Sequence, residues 1–164
     1  MSGETRNRRL VMANLVLLAA GMVAAAVVAA PATPIAVVGA WIRPAQAGMN
    51  GAGYMTLVNR DRLADHLIGA SSPVAAQVSL HRSLEIGGVM TMRPVPVLDV
   101  EGGARVSFAP GGLHLMFEGL RRPLAPGQSV PVSLIFARAG RVRATLIVRA
   151  GAPTMPEMAH VGPR

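Results

Sequence analysis

From position 35 onward, glycine and proline interrupt the chain every few residues, and this spacing limits the possible folds more than any other feature. Pro44, Ser71-Ser72-Pro73, Gly87-Gly88, Pro94, Pro96, Gly102-Gly103, Pro110-Gly111-Gly112, Pro123, Pro126-Gly127 and Gly140 are the breaks. Between them lie short apolar stretches at 35–42, 53–59, 66–70, 77–81, 89–93, 104–108, 113–118, 130–136 and 142–148. None carries a helical stripe of useful length. Many short strands with turn signals between them predict an all-β sandwich or barrel. The stretch from Leu113 to Glu118 shows the pattern most clearly. Leu113, Leu115 and Phe117 fall on one face, and His114, Met116 and Glu118 on the other, because side chains alternate along a strand. In the same way Val78 and Leu80 oppose Gln77, Ser79 and His81. These read as half-buried strands with histidine and methionine on the wet face.

The amino terminus follows different rules. Arg6, Arg8 and Arg9 precede an apolar run from Leu10 to Ala30, broken only by Asn14. A basic start, an apolar middle and the small residues Ala30-Pro31-Ala32 fit a secretory signal. The run also has the length of a bilayer-spanning helix, about 20 residues. Residues 1–32 are therefore expected to be a leader helix, either a signal peptide or an uncleaved membrane anchor. Both place the rest outside the cytoplasm. The expected organisation is this leader, a β domain over 33–150 and a flexible tail over 151–164.

The formal charge is +8, carried by arginine alone. The arginines are scattered, and one Trp and one Tyr make no stacking ladder, so no nucleic-acid partner is expected. Cysteine is absent, which excludes disulfides, thiolate zinc sites, blue-copper centres and cysteine nucleophiles. No Gly-rich phosphate loop, nucleophile elbow or paired carboxylates point to an enzyme.

The chemistry-bearing residues are histidine and methionine. Met116 shares a face with His114 two residues away, while the core face of that strand is already filled. His81 lies on the polar face at the end of its strand. Met90 and Met92 flank Thr91 after Gly87-Gly88; either is a candidate ligand, and either could be packing. Two imidazoles and two thioethers form a neutral, soft donor set. Such a set favours Cu(I) over Zn(II), Mg(II) or Ca(II), and disfavours the planar N and O set of Cu(II). Histidine must be neutral to bind, so acid weakens such a site, and loss of either histidine costs more affinity than loss of Met92. In the tail, Met155, Met158 and His160 are weaker metal candidates, set against simple disorder. His66 has no neighbouring methionine and reads as a surface or hydrogen-bonded histidine; Trp41 reads as core or strand-edge packing.

The order His81, ten residues, Met92, twenty-one residues, His114, one residue, Met116 resembles the signature of the periplasmic copper chaperones called PCu(A)C. The similarity extends to Ala40-Trp41-Ile42-Arg43, Gly53-Tyr54-Met55-Thr56-Leu57, Ser71-Ser72-Pro73, 88–95, 110–116 and Gly119-Leu120, and so covers roughly 40–150. The resemblance implies a cupredoxin-like Greek-key sandwich or barrel, with His81, Met92, His114 and Met116 as Cu(I) ligands; Met90 stands apart from it, read from its place beside Met92 as an auxiliary ligand, a lid over the site or simple packing. It also implies a periplasmic location, which agrees with the apolar run at 10–30 read as a signal or, if uncleaved, an inner-membrane anchor. The implied partner is a copper acceptor such as an oxidase subunit or a Sco-type protein, in cytochrome c oxidase assembly. The chain departs from the family at Arg82-Ser83, where an acidic residue usually follows the first histidine. Two other readings stand beside this one: a copper storage or resistance protein with the same ligands, and an exported Ig-like interaction module without metal.

Overall fold

The computed structural model describes residues 34–151; the expected leader at 1–32 and the tail methionines and His160 lie outside the described residues. Ten strands follow in order: β1 (Ile35–Ile42), β2 (Gly51–Asn59), β3 (Asp65–Ser71), β4 (Ala75–Ile86), β5 (Val89–Pro94), β6 (Leu98–Val100), β7 (Arg105–Phe108), β8 (Leu113–Leu120), β9 (Ser129–Phe136) and β10 (Gly140–Val148). All nine apolar stretches are strands. The tenth, β6, is three residues long, too short for a two-residue period to register in the sequence.

The strands form one sheet in the order β5-β4-β8-β2-β1-β10-β9-β3-β6. A further pairing of β3 with β4, at Ala70 and Val78, closes seven of them into a barrel. Neighbours are antiparallel except β1 and β10, which run parallel at Trp41–Ile147 and Ile42–Val148. One edge of β2 serves two partners: Gly51–Gly53 pairs with β8, and Met55–Val58 with β7.

Alternation decides what fills the barrel. In β9, Val130, Val132, Leu134 and Phe136 are buried while Ser129 and Pro131 are exposed. Leu113, Leu115 and Phe117 of β8 enter the same core, with Leu57, Leu146 and Val148. Each fully buried side chain of this size contributes about 1.5–3 kcal/mol. Gly53 marks the tightest approach. A Cβ there would sit 2.8 Å from Leu146 Cδ2 and 2.9 Å from Phe117 Cε2.

β4 outruns its barrel neighbour. Its pairing with β8 ends at Arg82 opposite Leu113, but its pairing with β5 continues to Ile86 opposite Val89. The result is a two-stranded ribbon turning at Gly87-Gly88, whose φ values of 60° and 80° suit a tight hairpin turn. Leu84, Ile86, Val89, Met90 and Met92 are exposed along it.

Candidate metal centre

Residues opposite each other in an antiparallel ladder share a face. His81 on β4 stands opposite His114 on β8, and both belong to the outer face, since Leu80 and Leu115 beside them point into the core. Their ring centroids are 6.0 Å apart. Met116 stands opposite Ser79, one step along the same face. On the other side, Met92 of β5 stands opposite Ser83, and Pro94 opposite His81. All four sequence-predicted ligands therefore lie on one face of three adjacent strands.

They are not equally close. His114 and Met116 are two residues apart on one strand, and His81 is directly across from one and diagonal to the other. Diagonal neighbours are about 7–8 Å apart. Met92 lies one strand further out, diagonal to His81 and separated from His114 by β4. Met90, opposite Glu85, is a step further again, toward the ribbon tip. The two are about equally exposed, 57% for Met92 and 58% for Met90. Val89, Thr91 and Arg93 on the reverse face cover no core, which explains why that stretch shows no clean pattern in sequence.

The expectation that both histidines face water is corrected for one of them. His114 is only 5% exposed. Tyr54 of β2 flanks it with centroids 6.4 Å apart, and Trp41 of β1 stacks on Tyr54 at 4.6 Å. Trp41, Tyr54, His114 and His81 thus form a lateral row across four strands. The row buries the aromatic rings on the outside of the barrel, a packing environment that strand-by-strand reading could not assign.

The hydrogen bonds prepare both imidazoles. His114 Nδ1 lies 3.1 Å from the Gly112 carbonyl oxygen, which only accepts. Nδ1 therefore carries the proton, and Nε2 keeps its lone pair. His81 Nε2 lies 3.1 Å from Ser79 Oγ, and Ser79 Oγ donates to Glu118 Oε1 at 2.5 Å. His81 Nδ1 is buried and has no partner. A buried polar atom left unpaired costs about 1–3 kcal/mol, which a bound cation would relieve. Among the described residues no three of His, Cys, Asp and Glu cluster to hold a metal. Any ion at the histidine pair must take its further donors from elsewhere; the soft donors on this face are the thioethers of Met116 and Met92, while the Glu118 carboxylate there is engaged by Ser79 Oγ. Ser79 and Glu118 did not emerge as site residues from sequence, although their face parity matches that of the ligands.

His66, by contrast, is remote from this face. It pairs with Asp99 across β3 and β6, with Nδ1 2.7 Å from Oδ1, a surface partnership of the kind expected for it.

The family model described as "Putative lipoprotein LpqE-like" matches residues 35–148. The chain belongs to the LpqE-like family. "Putative lipoprotein Lxx21020" of Leifsonia xyli subsp. xyli is 32% identical over 99 residues, 60% of this chain and 59% of that protein. The chain therefore matches over less than two thirds of its curated relative's length. Among solved structures, the copper-bound PCuAC domain from PmoF2 is 26% identical, with a TM-score of 0.60 over 72% of this chain and 94% of that one. The solution structure of CuI-DR1885 from Deinococcus radiodurans is 28% identical, with a TM-score of 0.57 over 77% of this chain and 83% of that one. This LpqE-like chain thus has a PCuAC-type all-β barrel.

Proposed function

We propose that this protein is a Cu(I)-binding metallochaperone outside the cytoplasm. His81, His114 and Met116 form the principal site, and Met92 completes it from the ribbon. The observation that carries the reading is the cross-strand pair His81–His114, ring centroids 6.0 Å apart and each imidazole keeping one nitrogen free, on the strand face that also carries Met116; among the described residues no cluster of three His, Cys, Asp and Glu competes with it. Likeness to PCuAC domains solved with copper supports the same conclusion.

Neutral soft donors bind Cu(I) without ligand-field strain and hold Cu(II) poorly. The ribbon beyond Arg82 is a two-stranded element, which is marginally stiff by itself. Bending it over His81 brings the Met92 sulfur in, and opening it leaves a coordination position for an acceptor's ligand. Copper then passes by stepwise exchange to a partner protein. Cytochrome c oxidase assembly is the destination we propose, reached directly or through a Sco-type protein, with no catalytic step by this chain. The LpqE-like family is described as one of lipoproteins. These 164 residues offer no cysteine to carry a lipid thioether, so we assign membrane attachment or export to the apolar run at 10–30.

Titrating the full chain with Cu(I) against a chromophoric chelator tests the reading. One equivalent should bind. His81→Ala and His114→Ala should each lower affinity by more than about tenfold, and Met92→Ala by less. Equal losses, or undiminished binding by His114→Ala, would remove the assignment.

A further inference from the structure

We infer that Glu118, acting through Ser79, is the positioning group that fixes the tautomer of His81 and makes Nδ1 its copper-donating atom. This inference rests on the copper reading and adds to it two residues and a donor atom.

Counting protons gives the argument. An ionised carboxylate accepts hydrogen bonds and donates none. Glu118 Oε1 lies 2.5 Å from Ser79 Oγ, so the single hydroxyl proton of Ser79 points at Glu118. The Ser79 oxygen can then only accept from His81 Nε2, 3.1 Å away, so Nε2 carries the imidazole proton. Nδ1 is left with its lone pair, buried and unpartnered. His114 uses the opposite arrangement, with Nδ1 donating to the Gly112 carbonyl and Nε2 free. Two imidazoles in opposite tautomers thus offer one lone pair each before any metal arrives. Strand register supplies the chain of contacts. Ser79 is two residues from His81 on the same face, and Glu118 is two residues from Met116, opposite Gln77. Hydrogen-bond partners of this kind raise ligand basicity and hold ring orientation, and losing one costs about 10–100-fold in metal affinity.

Nitrogen-15 NMR of the metal-free full chain, at a pH where imidazoles are neutral, reads the tautomer directly. His81 should be the Nε2–H form. Glu118→Ala frees the hydroxyl to donate to Nε2 and should shift His81 to the Nδ1–H form; Ser79→Ala leaves neither ring nitrogen partnered, so His81 should become a mixture of the two forms. Both variants should weaken Cu(I) binding by roughly tenfold or more. Ser79→Thr, which keeps a hydroxyl, should restore tautomer and affinity. A wild-type Nδ1–H form, or variants that leave tautomer and affinity unchanged, would overturn the inference even if copper binds. Absence of Cu(I) binding with the expected tautomers would instead overturn the copper reading and the donor assignment, leaving only the Ser79–Glu118 lock.

Discussion

Asp65 shows how one side chain can tie distant strands together. It is buried at the start of β3, and its carboxylate accepts three backbone N–H groups: His66 at 2.8 Å and Arg138 at 2.9 Å on Oδ1, and Ala139 at 2.8 Å on Oδ2. Burial by itself pushes this carboxyl up. The three N–H donors and the positive charge of Arg138 outweigh burial and hold it below the usual carboxylate range. An unfolded aspartate titrates near 3.9. The stabilisation is therefore complete above that value and fades as pH falls from there through the lower folded value. Asp65→Asn would set an amide NH₂ or an unfilled bond against one of the donors, at a cost of about 1–3 kcal/mol at neutral pH. Urea unfolding across pH 2–7 should show the variant less stable at pH 7 but converging on the parent in acid. A gap that stays constant with pH would mean the charge is not what stabilises the turn.

At the scale of elements, the alternation in β8 and in the first half of β4 made their inward faces legible because Leu113, Leu115 and Phe117, like Val78 and Leu80, fall on one parity and enter the core. The ribbon defeated the same reasoning, since both its faces are exposed and no period separates them. The His114–Met116 and His81 faces were likewise readable from parity. What the sequence could not disclose was that β4 lies beside β8 in a register that sets His81 against His114. Pairing between segments 33 residues apart is set by the strand order of the whole sheet, which local pattern does not encode. For that reason Ser79 and Glu118 were visible as polar-face residues but not as partners. Gly53 is a second case, an unremarkable glycine until β2 packs on Phe117 and Leu146. Gly53→Ala would force a methyl to within 3 Å of two buried side chains. It should destabilise the domain by about 1–3 kcal/mol in urea unfolding. Because Gly53 points into the core, Cu(I) affinity of the folded variant should be nearly unchanged. Equal loss in both measurements would show that core and outer face are mechanically coupled.

For the whole molecule, the barrel supplies the site with its geometry. Unfolding separates His81 from His114 by a long chain segment, but it leaves His114 and Met116 as neighbours in sequence. Copper should therefore bind the native state much more tightly than the unfolded one, which retains only the local pair. A ligand selective for the native state adds about 2.7 kcal/mol when present at a hundredfold excess over its Kd, and residual binding to the unfolded chain reduces this. For a domain of this size that corresponds to a rise in Tm on the order of 10 °C or less. Thermal unfolding with and without excess Cu(I) under reducing conditions should show the rise. His114→Ala should abolish nearly all of it. It removes the native cross-strand pair and also one of the two donors available to the unfolded chain. His81→Ala spares that local pair, so copper should then stabilise native and unfolded chains more equally and give a small rise or none. A full rise in His81→Ala would mean that copper is held by His114 and Met116 without the cross-strand partner, and that barrel closure contributes nothing to metal binding.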